Sequence, residues 1–255
     1  MVDLLEALKR RDLWVFLGWQ DIKQRYRRSL IGPFWLTIST GVHVGTLGFL
    51  WAKLFGQSLD DYLPFFAIGQ VAWVYLSGLM NEATTGFTQF ESIIKQIRIP
   101  FSSMLLRLLW RHLIIFLHNS VIIVMVIGLV GTGWSGSMPL SLFGLFLLSL
   151  FGLAISGPIA ILCTRFRDLP QIVASFLTVL FFLTPIMWKP ESLRHEKWVF
   201  EYNPFFHLIE VLREPLLGRV PPMHQYLWVI GVIVIVGGAH LWMMGKWRNR
   251  IAFWL

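Results

Sequence analysis

From residue 34 to residue 56 the chain carries a single strong charge, Lys53, and just before this run the arginines Arg25, Arg27 and Arg28 give way to a Gly32-Pro33 break. The stretch 25–35, RYRRSLIGPFW, therefore joins a basic segment to an apolar run long enough to cross the hydrocarbon of a bilayer. Because Lys and Arg are retained on the cytoplasmic side, this cluster predicts an inside N-terminus and a first span directed outward. Every later segment inherits its orientation from that choice.

The pattern recurs along the chain. A hydrophobic fraction of 56% with only 14% charged residues lies outside the range of soluble domains. The 255 residues accommodate about six spans of roughly 20 residues and leave no room for a separate soluble domain. The spans are expected at 34–56, 63–86, 104–131, 140–164, 171–188 and 226–245. Within residues 1–30, Leu4, Leu8, Val15, Trp19 and Ile22 recur at nearly helical spacing, with Lys9, Arg10, Arg11, Lys23 and Arg25 on other faces. An amphipathic helix along the inner membrane surface is expected there. The same residues lack a signal peptide's apolar core and cleavage site, so the N-terminus is expected to be retained.

In residues 87–98 one helical stripe of Phe87, Phe90, Ile94 and Ile97 runs beside Glu91, Lys95 and Arg98, and Pro100 ends it. Too polar to span, it predicts a cytoplasmic helix across the membrane face. Residues 189–222 mix charges and then offer an apolar run too short to cross, which suits short re-entrant or interfacial outer helices at 190–220. Basic residues concentrate in the segments placed inside, at 9–28, 95–98, 165–167 and 246–250, which favours both termini being cytoplasmic. The expected fold class is an all-α integral membrane protein with six transmembrane helices.

Little chemistry is present. The net charge of +8 arises from residues that flank spans, not from a stripe on a soluble face, so no nucleic-acid partner is expected. The single Cys163 lies in an apolar segment and is read as a packing residue. The only Gly-Lys pair, Gly245-Lys246, is followed by Trp247, so the chain has no P-loop. Glu82, about one turn from the inner end of its span, is read as a structural ion pair with Arg107 or Arg111. His43, His112 and His118 lack the spacing of a helical metal site, and no metal is expected. Asp60-Asp61 supports an alternative, a metal-and-phosphate site in a membrane-embedded, lipid-linked glycosyltransferase; solvated loop charges are the simpler reading. The fifth span has no charge, and its aromatic rings could contact sugars. Residues four and seven apart diverge by only about 40 and about 20 degrees on a helix, which predicts that Phe176, Leu180 and Leu183 share a channel face, with Phe182 turned away.

Taken together, RYRRSLIGPFW, LPFFAIGQVAWVYLSG, IIKQIRIP, RFRDLPQI and NPFFHLIEVLREPLLG, in this order and spacing, resemble the membrane subunit of polysaccharide ABC exporters. These are the permeases that export O-antigen and, more distantly, capsule and teichoic acid. The resemblance runs from about residue 10 to the C-terminus. It implies a non-catalytic permease of the bacterial inner membrane that pairs with a second copy of itself and with a separate ATP-binding cassette ATPase. ATP and Mg would be bound by that partner, with no cofactor in this chain. The cargo implied is a polysaccharide on undecaprenyl diphosphate, moved amid membrane lipids. By the same resemblance, 87–98 is a coupling helix contacting the ATPase through Phe87, Phe90, Glu91, Ile94 and Lys95. The N-terminal helix, with Arg11, Trp19 and Arg25, is an interface helix beside it. The first and fifth spans would line the channel, with Trp35 joining Phe176, Leu180 and Leu183, and 190–220 would form an outer gate. An autonomous channel is the remaining alternative.

Overall fold

The computed structural model describes residues 2–27, 32, 34–97, 99–130, 135–193 and 195–255, without the side chains of Val2, Arg25 and Tyr26. Of the residues singled out above, Arg28, Pro33, Arg98 and the side chain of Arg25 lie outside the described residues. In chain order the helices are α1 (Val2–Lys9), α2 (Arg11–Tyr26), α3 (Phe34–Leu54), α4 (Leu59–Ala83), α5 (Glu91–Gln96), α6 (Phe101–Val130), α7 (Leu140–Arg165), α8 (Leu169–Leu183), α9 (Trp198–Glu201), α10 (Pro204–Leu216) and α11 (Met223–Trp254), with 3-10 turns at Thr88–Phe90 and Pro190–Leu193. Among the described residues all regular structure is helical.

Among the described residues four helices, α4, α6, α7 and α11, are long and apolar enough to cross a membrane. The other two stretches expected to span fall short of that measure for different reasons. In α3, 21 residues long, Thr, Gly and His43 dilute the apolar residues. In α8 the helix itself has only 15 residues.

The core is built around α4, which packs against α3, α6, α7, α8 and α10. From position 62 to position 73 only Leu63 escapes full burial, as expected of a helix apolar all round. Two of its tyrosines are held by distant groups: the Tyr75 hydroxyl donates to Ser149 Oγ at 2.9 Å, and the Tyr62 hydroxyl donates to the Met187 carbonyl. Trp73 lies between Phe181 and Phe205, with ring centres at 5.7 and 5.8 Å. On the far side α11 runs along α7, and α10 wedges between α4, α7 and α11. The wedge depends on Gly144, where an added Cβ would collide with the Val211 carbonyl.

Two segments depart from the single helices expected. The N-terminal amphipathic segment breaks at Arg10, whose φ of −93° and ψ of 45° are not helical, and Trp14 Nε1 donates to the Ala7 carbonyl at 3.2 Å across the break. The bend lets α1 and α2 follow two different parts of α6. Residues 87–98 form a 3-10 turn and then the six-residue α5, ending at an extended Ile97. In a 3-10 turn side chains three apart eclipse, so Phe87 and Phe90 both turn towards α6.

Candidate functional site

The end of the bundle that gathers α2, the C-terminus of α4, the start of α6 and the 87–100 segment holds a connected set of charges. On α6, Arg107 is 1% exposed and Arg111 8% exposed. Buried cations require partners, and three elements supply them. Asp21 of α2 places Oδ2 3.0 Å from Arg107 Nε and 3.4 Å from Arg111 Nη1. The Arg107 contact is an ion pair by distance whose N–H is not aligned for a hydrogen bond. Glu82 of α4 pairs with Arg111 and lies 2.8 Å from His112 Nε2. Of the two arginines proposed for Glu82, the structure thus joins it to Arg111, and Arg107 pairs with Asp21 instead.

Helix α2 comes close enough for this because of Gly18: a Cβ there would sit 2.9 Å from the Trp110 ring and 3.1 Å from the Arg107 carbonyl. Its inner face thus packs on protein through Gly18, Asp21 and Ile22, while Phe16 and Trp19 remain exposed. Arg11, at the start of α2, is exposed beside Asp12, and Lys23 lies 5.9 Å from the Trp19 ring.

The guanidinium of Arg107 has a second neighbour, the Phe90 ring, whose centre is 3.9 Å away, a cation-π contact out of bulk water. Phe87 is completely buried and meets Phe101 edge-to-face at 5.4 Å. This corrects its assignment to a partner-facing surface: Phe87 closes the base of the 87–100 segment, and its i+3 neighbour Phe90 is half-buried against α6. The exposed part is the tip, with Glu91 and Lys95 paired at 2.6 Å and Ile94 partly covered. An exposed pair of this kind contributes about 0.3–0.5 kcal/mol, so it decorates the tip and does not hold it.

Asp3 is the anchor that sequence reasoning missed. Its carboxylate accepts from the backbone N–H of Phe101 at 3.3 Å and of Ser102 at 2.8 Å, satisfying two of the orphan donors at the start of α6. It also pairs with Arg248 of α11 at 3.2 Å. Asp21 was missed too, although an acid on the same side of α2 as Gly18, beyond the first-turn Asp12, is a signal that a cation waits nearby. Asp3 left no comparable signal, because its partners are backbone groups and a distant arginine.

At the opposite end, Ser58 caps α4: its Oγ donates to Asp61 Oδ2 at 2.7 Å and accepts from the Asp61 N–H. Asp60 and Asp61 are first-turn acids of that helix, and among the described residues no three His, Cys, Asp or Glu side chains group as a metal site. On α10 the fully buried Arg213 pairs with Glu210 and donates to the Pro185 carbonyl at 2.9 Å. Asn203 caps α10 and donates to Thr184 Oγ1 at 3.0 Å. A cavity of about 730 Å³ opens here, lined by Asp61, Lys189, Glu191, Glu210, Glu214 and Arg219 among others. Burial, with the Glu210 carboxylate beside it, pushes the Glu214 carboxyl up to about 7, against the pull of Arg219.

The residues proposed for a channel wall do not share one environment. Trp35 in the first turn of α3 is exposed, as are Phe176 and Leu183 on α8. Leu180 faces inward with Leu177, the two buried residues of α8, because this helix packs on α4 and α7. Phe182 is exposed as well. The stripe of Phe176, Leu180 and Leu183 is therefore split, and Leu180 belongs to the core.

Comparison with known proteins agrees with this architecture. The profile of the ABC-2 type transporter family matches residues 12–217. A protein of Myxococcus xanthus named O-antigen export system permease protein RfbA is 24% identical over 193 residues, covering 75% of this chain and 74% of its own. Two proteins of the same name from Klebsiella pneumoniae are each 23% identical over 245 residues, covering 93% of both chains. With its apolar helical bundle and a profile match running from α2 to the end of α10, this chain belongs to the ABC-2 type transporter family, a family of multi-pass membrane proteins.

Proposed function

We propose that this chain is the membrane subunit of an ATP-driven exporter that carries a polysaccharide, linked to undecaprenyl diphosphate, across the bacterial inner membrane. The observation that carries this reading is the short helix α5, held at the charged end of the bundle with its tip exposed. That is the form required of an element that hands movement from a separate motor to the membrane helices. The likeness to O-antigen export permeases over nearly the whole chain supports the class of cargo.

In this reading both termini and α5 are cytoplasmic, and α3 and α8 cross the membrane with the four longer helices, making six spans. Both pack on α4 and leave open apolar faces, which suit a second copy of the chain with a passage between the two. The α9–α10 region forms the outer gate. ATP and Mg are bound by a partner ATPase, whose closure pushes on the α5 tip; no covalent chemistry occurs in this subunit. Its work is conformational. The Arg107–Asp21 and Arg111–Glu82 contacts make α2, α4 and α6 respond together.

Co-purification tests the proposal. Tagged permease is expected to retain an ATPase chain encoded beside it, and vesicles holding both are expected to move lipid-linked glycan only with hydrolysable ATP. Sugar transfer by the purified chain would favour the glycosyltransferase alternative, and glycan passage without ATP would favour a channel.

A further inference from the structure

We infer that Asp3 and Asp21 are positioning residues which suspend the 87–100 segment at two points, so that the α1–α2 pair sets how movement of the α5 tip enters the bundle; this rests on the reading of α5 as a coupling element. The exit of the segment is held by Asp3. Only 5% exposed, its carboxylate bonds the N–H groups of Phe101 and Ser102, where the segment becomes α6, and grips Arg248 of α11. The entry is held by Asp21, through Arg107, whose guanidinium covers the Phe90 ring at 3.9 Å. Between these points the Phe87–Phe101 contact closes the base of the loop.

The tip carries no ion pair to another helix among the described residues; it is held only by apolar packing of Ile94 and by the approach of α11 to α5. Ser92, Lys95, Gln96 and Ile97 are exposed, and a cavity of about 570 Å³ opens beside the tip, lined by Ile94, Ile97, Ile99, Glu6, Arg248 and Asn249. A loop fixed at both ends by charge and held more loosely at its middle transmits a push as rotation about its anchors. Without the anchors it would absorb the push by deforming. Both anchors are carboxylates supplied by the N-terminal helices: Asp3 acts through charge-assisted hydrogen bonds, which are stronger than neutral ones, and Asp21 through an ion pair with the buried Arg107. Helices α1 and α2 therefore do more than rest on a membrane surface: they hold the mount of the coupling element.

The test uses a nitroxide at Ser92→Cys in a Cys163→Ser background, in the full-length permease in lipid. Asp3→Asn and Asp21→Asn are each expected to raise label mobility at Ser92 severalfold while the protein still melts cooperatively. In the complex with the ATPase, each is expected to lower glycan exported per ATP hydrolysed severalfold. Asp21→Glu, which keeps the charge, is expected to recover part of both, and Arg248→Gln to give a smaller version of the Asp3 effect. If Asp3→Asn fails to fold, Asp21→Asn and Arg248→Gln carry the test. Unchanged label mobility with unchanged export per ATP would overturn the inference, as would an export loss that merely tracks the amount of folded protein. If no ATPase associates, the mobility measurement still decides whether the anchors hold the segment, and only the coupling reading fails.

Discussion

The Arg213 guanidinium stacks 3.7 Å from the centre of the Phe65 ring, locking α10 to α4 at the end of the bundle opposite α5. Its other faces are taken by Glu210 and the Pro185 carbonyl. Arg213→Gln would leave the buried Glu210 carboxylate without its cation, and breaking a buried pair in this way costs about 3–5 kcal/mol. We expect a marked drop in melting temperature in detergent. Arg213→Lys is expected to recover little, since a lysine cannot stack on the ring and serve both oxygens at once. Wild-type melting of Arg213→Gln would show that this contact holds nothing.

Glu82 shares Arg111 with Asp21. Glu82→Gln therefore leaves Arg111 with Asp21 as its carboxylate among the described residues, and we expect a loss of about 1.5–3 kcal/mol, the range for a hydrogen bond to a charged group. The exchange of Glu82→Arg with Arg111→Glu would set a new carboxylate beside Asp21, so the double variant is expected to melt lower than Glu82→Gln. Recovery by the exchange would mean that Asp21 does not contribute to the site.

Phe90 and Ile94 mark the two halves of the segment proposed to couple to the ATPase, one under Arg107 and one near the tip. Truncating apolar anchors at a protein interface commonly costs more than about 1 kcal/mol of binding. Phe90→Ala with Ile94→Ala is expected to weaken ATPase association and lower export while the permease still inserts. Phe87→Ala, by contrast, opens a cavity in the core and is expected to act on melting temperature, by about 3–5 kcal/mol.

Along α8 the structure predicts an uneven pattern of aqueous labelling. Single cysteines at Phe176 and Leu183 in a Cys163→Ser background are expected to react during transport, and one at Leu180 to remain protected behind α4 and α7. Equal protection of all three positions, with export intact, would place the open face of α8 against lipid.

Glu214 confers a pH dependence. Its carboxyl, raised by burial and by Glu210 to about 7 from an ordinary 4.5, binds its proton more tightly in the folded protein. The corresponding stability is fully present below about pH 4.5 and is lost as pH rises through about 7. Melting measured across this window is expected to fall with rising pH, and Glu214→Gln is expected to flatten the slope. The groups facing Glu214 across the cavity, including Glu210, Asp61, Glu191, Lys189 and Arg219, set the residual slope.

The sequence by itself determined the helical membrane character, because long runs without charge leave the backbone no solution but to bond internally. It also placed a carboxylate near Arg107 and Arg111, since a Glu near a span end and two arginines one turn apart are legible along one chain. Which partner each arginine takes was decided only by the tertiary structure. Asp21 lies 90 residues from Arg111 and Asp3 lies 99 from Ser102, and no local pattern encodes which faces of distant helices meet. The same reason explains Phe87 and Leu180. Periodicity assigns each to a stripe, but whether a stripe faces a partner or the core depends on the packing of α6 against the 3-10 turn and of α4 and α7 against α8. Those packings arise from shape, at contacts such as Gly18 on Trp110 and Gly144 on Val211.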